Sequence, residues 1–411
     1  MTRLSTLHPY PAMIADPLAT DLSCRFVKSG DRVLDPFCGT SRTLLAAAER
    51  GAFCFGIDVN PLAVLLSRAK ASCPNVSVLS QLLSGLRQKR GAEDIYSTFN
   101  LEHGRRVEWF SLETKAEISS LIRLINDAQL QYSELQLVAA ILSATVREVS
   151  YCKKNQWKLH RIPSSARSNF SKSPRTVFER RLFTVHKELS NLGSLSGRVR
   201  VIRGDARNLS TILKTSGEDN LFDLVLTSPP YGDSQTTVQY GGMSSICLGV
   251  LKHLRGLDTE IMSGKEIDSR CLGGKLAGAT NNSGDERLLT PIYWHGGREN
   301  PARQRVLGFL SDIELSCQEI AKVLRQGGYA VFVIARRLAG GWRLYLDQFL
   351  IDSLARYNLI INEAYSRQIE RKMTPVVINR KARGADKHRR SSRVRTMREE
   401  HILVFQKLCE R

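Results

Sequence analysis

The chain reads as an α/β protein built on a doubly wound, mostly parallel sheet. Three observations predict this class. Short apolar strands alternate with helical segments between 31 and 72, a turn with a single glycine joins the first strand to the next helix, and strand-like runs resume after 196. The long stretch between them has apolar residues at helical spacing instead.

Taken in order, 13–28 reads as a helix, followed by the strand DRVLD (31–35) and the turn PFCGTS. The small-residue helix TLLAAAER (43–50), the strand AFCFGID (52–58) and a helix over 60–72 come next. Helices are predicted over 115–126, 135–149 and 175–192. Strands are predicted at 198–205, 221–231, 327–335 and 401–407. Residues 1–74 therefore form the first part of the sheet domain, 75–195 a helical insertion, and 196–411 the second part. That second part carries two excursions, a Gly-rich and polar one at 232–302 and a basic one at 371–398. The strand that follows the basic segment makes it a tethered loop rather than a tail.

Composition narrows the function. The 411 residues suffice for two or three domains, and 42% apolar with 24% charged residues is ordinary for a soluble globular protein. No apolar run reaches the roughly 18 residues of a membrane span, and MTRLSTLHPYPAM lacks the core of a secretory signal. A cytoplasmic protein is expected. Nine cysteines, none in a C-x-x-C pair, argue for reduced thiols and against a zinc ribbon or a disulfide framework, and no metal site is expected. The net charge of +20 is concentrated: residues 153–181 hold nine Lys or Arg against one acid, and 371–398 hold eleven against one. Such clustering suits a polyanion, held through counterion release with a steep salt dependence. Within the second cluster Arg380, Lys381, Arg383, Lys387, Arg389, Arg390 and Arg393 are the candidates to grip phosphates.

DPFCGTS (35–41) lies where a strand hands over to a helix, the place where open parallel sheets bind ligands. Gly39 lets a ligand approach the backbone, Asp35 places a carboxylate at the strand tip, and Cys38 serves as a small structural residue. Asp58, at the end of the next strand, suits a carboxylate accepting from both ribose hydroxyls. The turn lacks G-x-G-x-x-G and the chain lacks a P-loop, which disfavours NAD and nucleoside triphosphates. S-adenosylmethionine, which has no pyrophosphate, fits better. Asp205 could accept from its adenine amine or simply cap the helix that follows.

TSPPY (227–231) closes the strand LFDLVLT. Consecutive prolines fix the backbone and lack N–H groups, so Ser228 is held stiffly with its hydroxyl and neighbouring carbonyls free to accept. Tyr231 offers a flat face for a planar base. Two acceptors on a ring-bound amine can aim its lone pair at a methyl group. Methylation at carbon 5 of cytosine is disfavoured because it needs a Cys after a Pro, and the sequence has no Pro-Cys dipeptide.

These residues resemble the amino-methylating DNA methyltransferases, which modify cytosine N4 or adenine N6. HPYPAMI (8–14) is similar to the element before their first strand, DPFCGTS to their cofactor turn, GIDVNP (56–61) to the ribose-binding segment and RGDAR (203–207) to the adenine side. TSPPY is similar to their catalytic motif, and LRQGGYAVFVI (324–334) and EHILVFQK (400–407) to their later strands. The resemblance implies a Rossmann-like class I methyltransferase fold using S-adenosylmethionine. It implies catalytic roles for Ser228, Pro229, Pro230 and Tyr231. Cofactor contacts are implied at Pro9, Pro11, Asp35, Pro36, Phe37, Cys38, Gly39, Thr40, Asp58, Asn60 and Asp205. Ser before the prolines is similar to the cytosine-N4 pattern, whereas Asp or Asn is usual for adenine N6. Ser41 stands where the family often has a second glycine. The implied activity is methylation of a flipped cytosine in double-stranded DNA, with bases read by 232–302 and the helical insertion. Such enzymes often accompany a restriction endonuclease, which here would be a separate polypeptide. Adenine-N6 methylation, methylation of an RNA guanine or adenine amine, and a non-catalytic DNA-binding regulator remain the alternatives.

Overall fold

The computed structural model describes residues 4–88, 99–101, 108–153, 159–168, 170, 172–190, 195, 197–232, 239–274, 293–296, 299–369 and 399–409, and the backbone of 377–380 and 392–395. A seven-stranded sheet forms its centre. The strands are β1 (Arg32–Asp35), β2 (Phe53–Asp58), β3 (Val199–Arg203), β4 (Phe222–Thr227) and β5 (Leu324–Ile334). Then follow a small hairpin of β6 (Arg337–Ala339) and β7 (Trp342–Leu344), β8 (Leu359–Gln368), a ribbon of β9 (Val377–Arg380) and β10 (Ser392–Arg395), and β11 (Glu399–Lys407). The sheet order is β3-β2-β1-β4-β5-β11-β8, with β11 the antiparallel member wedged between β5 and the edge strand β8. This is a doubly wound sheet whose order reverses at β1 and β4. The carboxyl ends of those two strands therefore flank the crevice where such sheets bind ligands.

Alternation along the strands sends side chains to two different layers. On β5, Ala330, Phe332 and Ile334 join one apolar cluster, while Val331 and Val333 join the other; on β11, Leu403 and Phe405 part company with Ile402 and Val404 in the same way. The first layer is covered by α8 (Leu209–Thr215), α11 (Arg303–Val323) and α12 (Leu346–Ala355). The second is covered by α1 (Asp16–Phe26), α2 (Arg42–Ala48) and α3 (Pro61–Ala71). Pro61 opens α3, and the Asn60 side chain accepts from the Leu62 amide to cap it.

A third apolar cluster lies outside α3. It is built from α4 (Val76–Gln88), α5 (Leu112–Asp127), α6 (Tyr132–Val149) and α7 (Pro174–Leu189), joined by α9 (Tyr240–Leu251) and α10 (Gly264–Arg270). Ser111 and Ser173 cap α5 and α7.

One sequence expectation needs correction here. The 232–302 segment is not simply loop-rich, because α9 is a buried helix packed on α6. Its glycines, which read as loop residues, allow backbone to touch backbone: a Cβ on Gly241 would lie 1.9 Å from the Gly264 carbonyl oxygen. Within the helical insertion, α6 is a core helix. Leu137 to Ala140 and Ile141 to Val146 on α6 are buried around its whole circumference, so this helix has no face left for base edges.

The basic 371–398 segment contains the β9–β10 ribbon, with Arg380 opposite Ser392 and Arg393 opposite Asn379. The ribbon leaves the sheet after β8 and returns at the start of β11. Lys381, Arg383, Lys387, Arg389 and Arg390 lie outside the described residues. No helix among the described residues is long and apolar enough to cross a membrane. All nine cysteines are free.

Candidate active site

The turn after β1 is assembled around Asp35. Its carboxylate accepts from the Thr43 hydroxyl (2.5 Å), the Thr227 hydroxyl (2.6 Å) and the Phe37 amide (3.1 Å), and it is 2% exposed. Burial pushes its pKa up to about 6 in spite of these donors. Asp35 therefore does not offer a carboxylate to a ligand, as the sequence suggested. It ties the turn to the last residue of β4, next to Ser228.

Gly39 takes φ +50°, and a Cβ placed on it would meet nothing within 4 Å. Its requirement is conformational, and the space above it is open for a ligand. Ser41 also adopts the left-handed region (φ +60°), so this serine occupies a conformation for which a glycine is the natural choice. Behind the turn, the wholly buried Lys70 donates to the Thr40 hydroxyl (3.0 Å) and the Thr40 carbonyl (3.3 Å), and the Thr40 hydroxyl donates to the Met13 sulfur. Burial brings the Lys70 pKa down to about 7.

Asp58 closes β2 and stays half-buried. It accepts from the Gly39 amide (2.9 Å) and the Asn60 amide (2.8 Å), and burial first, with Asp35 nearby, raises its pKa to about 6. Burial and the two carboxylates push the Cys38 thiol well up, so it is held as a neutral, inert group.

Around this floor stand residues that the sequence did not single out. Tyr10 stacks on Tyr240 (centroids 6.0 Å apart, planes at 26°), and Asn60 donates to both the Tyr10 hydroxyl (2.8 Å) and Ser244 (2.9 Å). Asn60 is thus consumed within the protein, 2% exposed, rather than turned toward a ligand. The segment carrying Pro9 and Pro11 is fastened to α6. Arg147 donates to the Pro9 carbonyl (2.7 Å), and the buried His8 bonds Ser143 (3.0 Å), its pKa brought down to about 3 by burial and by Arg147 and Arg181.

Among the expected cofactor residues, Pro9 is exposed and Phe37, Gly39, Asp58 and Asp205 are half-buried, whereas Pro11, Asp35, Pro36, Cys38, Thr40 and Asn60 are buried. Asp205 caps the turn after β3 through the Arg207 amide (3.0 Å), and its carboxylate is gripped by the Arg207 guanidinium (2.5 to 3.1 Å). Arg207 also pairs with Asp312 (2.8 Å). The capping role is the one that these contacts display.

The second half of the site follows β4. Ser228, Pro230 and Tyr231 are half-buried and Pro229 is buried. The Ser228 and Tyr231 hydroxyls lie 3.2 Å apart. Burial, with the Glu400 carboxylate beside it, pushes the Tyr231 phenol far up, so it keeps its proton. Glu400, at the start of β11, lies beside Tyr231 and pairs with Arg367 on β8 (3.6 Å), and burial pushes its carboxyl up. Nothing in the local sequence marks Glu400, because it reaches the motif only through the pairing of the last strands.

The 153–181 cations are in part committed inside the protein. Lys172, Arg180 and Arg181 converge on Glu148 (2.9, 3.0 and 2.7 Å), and although burial opposes it they hold that carboxyl down to about 2.

No family model matches the chain. A Type II methyltransferase of Kocuria varians, M.MvaI, is 27% identical over 396 residues, covering 90% of this chain and 84% of its own length. A second, M.BsoBI of Geobacillus stearothermophilus, is 25% identical over 233 residues, half of this chain and 44% of itself. Among solved structures, a SAM-dependent methyltransferase of Methanosarcina mazei aligns with 98% of this chain and all of its own at 10% identity and a TM-score of 0.31. The chain is thus similar, along nine-tenths of its sequence, to a Type II methyltransferase.

Proposed function

We propose that the protein is a DNA methyltransferase that places a methyl group on the exocyclic N4 amine of a flipped-out cytosine. S-adenosylmethionine is the cofactor, and it supplies an electrophilic methyl carbon. The residues present suit it: open space above Gly39, the half-buried Asp58 to accept from ribose hydroxyls, and Phe37 beside them. The observation that carries the reading is the double attachment of Asp35. One carboxylate oxygen binds both the cofactor turn, at Phe37, and Thr227, the residue before Ser228. The floor of the cofactor crevice and the catalytic turn are thereby held in a fixed relation, as methyl transfer requires.

In this reading Ser228 and the carbonyl beside it accept the two hydrogens of the target amine. That withdraws its lone pair from the ring and aims it outward. Tyr231 stacks on the extruded base, whose flipping costs a few kcal/mol. The departing amine proton passes to solvent. In this reading the basic 371–398 segment, which lies between β8 and β11 in the chain, grips phosphates through its Arg and Lys residues. A role in restriction and modification, with a separately encoded endonuclease, accompanies this reading.

Mapping methylated bases by single-molecule sequencing of DNA from expressing cells tests it. N4-methylcytosine within one recurrent short sequence is expected. N6-methyladenine there would move the assignment to the other amine, and DNA without new methylation would remove it.

A further inference from the structure

Resting on the reading above, we infer that the β6–β7 hairpin is a DNA-docking element. Trp342 at its tip stacks on the duplex bases beside the extruded cytosine, and Arg343 holds a backbone phosphate. The sheet places this hairpin at the catalytic turn. β5 runs parallel to β4 with Phe332 opposite Thr227, so the chain that leaves β5 after Ile334 emerges beside the turn that carries Ser228. Arg337, the first residue of β6, lies against Gly232, directly after Tyr231: a Cβ on that glycine would collide with the Arg337 guanidinium.

The hairpin is held stiffly. Its two-residue turn, Gly340-Gly341, takes φ +57° and +90°, the left-handed pair that a tight hairpin requires. The buried Trp294 donates its indole N–H to the Ala339 carbonyl (2.9 Å) and bridges to Leu344, and Asn300 donates to the Gly340 carbonyl (2.9 Å). Arg336 is spent at the base of the hairpin, on Asp347 (3.0 Å) and over the Tyr345 ring. Ala339 and Leu344 are buried, whereas Trp342, opposite Ala339, is 49% exposed. The exposed His295 tilts against it, with ring centroids 6.3 Å apart. Arg343 is exposed too, and among the described residues no carboxylate pairs with it.

A stiff arm that offers a large aromatic ring and a cation to solvent suits a partner that is both flat and polyanionic. Duplex DNA with one base extruded is such a partner, because the faces of the neighbouring bases are laid bare. Trp342 stands opposite Ala339, two residues along the hairpin from Arg337. It therefore reaches about 7 Å beyond the catalytic turn, the length of about two base-pair steps.

The test is equilibrium binding of a duplex carrying the sequence that the enzyme methylates in cells, over a salt series, for wild type, Trp342→Ala, Trp342→Phe and Arg343→Ala. Affinity for S-adenosylmethionine is measured alongside. Trp342→Ala should weaken duplex binding by about tenfold, the scale of one lost stacking contact, while Trp342→Phe, which keeps a flat ring, stays within about threefold of wild type. Arg343→Ala should weaken it several-fold and flatten the log–log salt slope by about one. Cofactor affinity should be unchanged in all three, which also shows that they fold. Wild-type duplex affinity in Trp342→Ala overturns the stacking role, as does a Trp342→Phe variant that binds no better than Trp342→Ala. An unaltered salt slope in Arg343→Ala overturns the phosphate contact, and an equal fall in cofactor affinity in Trp342→Ala overturns the assignment of the ring to DNA. If Trp342→Ala does not fold, Trp342→Leu, which keeps bulk without a flat face, takes its place with the same expectation. An active wild type with indifferent variants removes only the role of the hairpin, whereas a wild type that methylates no DNA removes the functional reading itself.

Discussion

The two turns that meet at the centre of the sheet are built on opposite plans. The turn after β1 spends its polar groups on itself: Asp35 is saturated by Thr43, Thr227 and Phe37, and Thr40 and Asn60 are buried among their own partners. The turn after β4 has its shape fixed by Pro229 and Pro230 instead, and its Ser228 hydroxyl, which meets the Tyr231 hydroxyl (3.2 Å), keeps lone-pair capacity for a further partner. A ligand-shaped hollow can be made from satisfied groups, whereas a catalytic acceptor must have lone pairs to spare. Damage to the first turn should therefore show as lost stability or affinity, and damage to the second as lost rate.

The largest effect separates the two plans most sharply. Ser228→Ala should slow single-turnover transfer by about a hundredfold, on the scale of removing one preorganised catalytic group, with cofactor and DNA affinity retained. A parallel fall in affinity would put Ser228 among binding residues instead. Next comes Asp35→Ala, which strands two hydroxyls and an amide in a buried place. Denaturant unfolding should register a loss of about 3 kcal/mol. Wild-type stability in that variant would mean that the turn does not depend on its carboxylate.

Asp58 stands between the two plans, since it both braces the turn and remains accessible. Asp58→Ala should weaken S-adenosylmethionine binding by about tenfold in calorimetry. Its carboxyl ionises at about 6 in the free protein, because burial disfavours its charge more than the Gly39 and Asn60 amides favour it. Above that pH both oxygens accept from a ribose, and below it one of them carries a proton. Affinity should accordingly rise as pH climbs through about 6, by a few-fold, and then level off. A pH-independent affinity would place the ribose elsewhere. The smallest effect is at Ser41: glycine there removes the left-handed strain but adds freedom to the unfolded chain, for a net gain of about 0.5 kcal/mol.

The sheet was legible because its strands are apolar and end in turns with chemical signatures. All the predicted strands of the parallel part appear, as do the helices over 115–126, 135–149 and 175–192. The edge strand β8 was missed, since LIINEAYSRQ is exposed or half-exposed along nearly its whole length and lacks the apolar signal. Helix α9 was missed for the contrary reason: it is so closely packed that glycines replace side chains, and glycines read as loop. In the candidate site, the motifs fall on the turns after β1 and β4, but they do not give the direction of each side chain. Asp35 and Asn60 face inward, and Tyr10, Tyr240 and Glu400 enter only through tertiary contacts that local sequence cannot express.

One measurement reaches the central claim without an intermediate. Purified protein is given S-adenosylmethionine with a tritiated methyl group and duplex DNA, and the DNA is digested and its nucleosides separated. The account predicts tritium in N4-methylcytidine's deoxy form, with none in 5-methylcytosine. Label on carbon 5, or no label on any base, contradicts it.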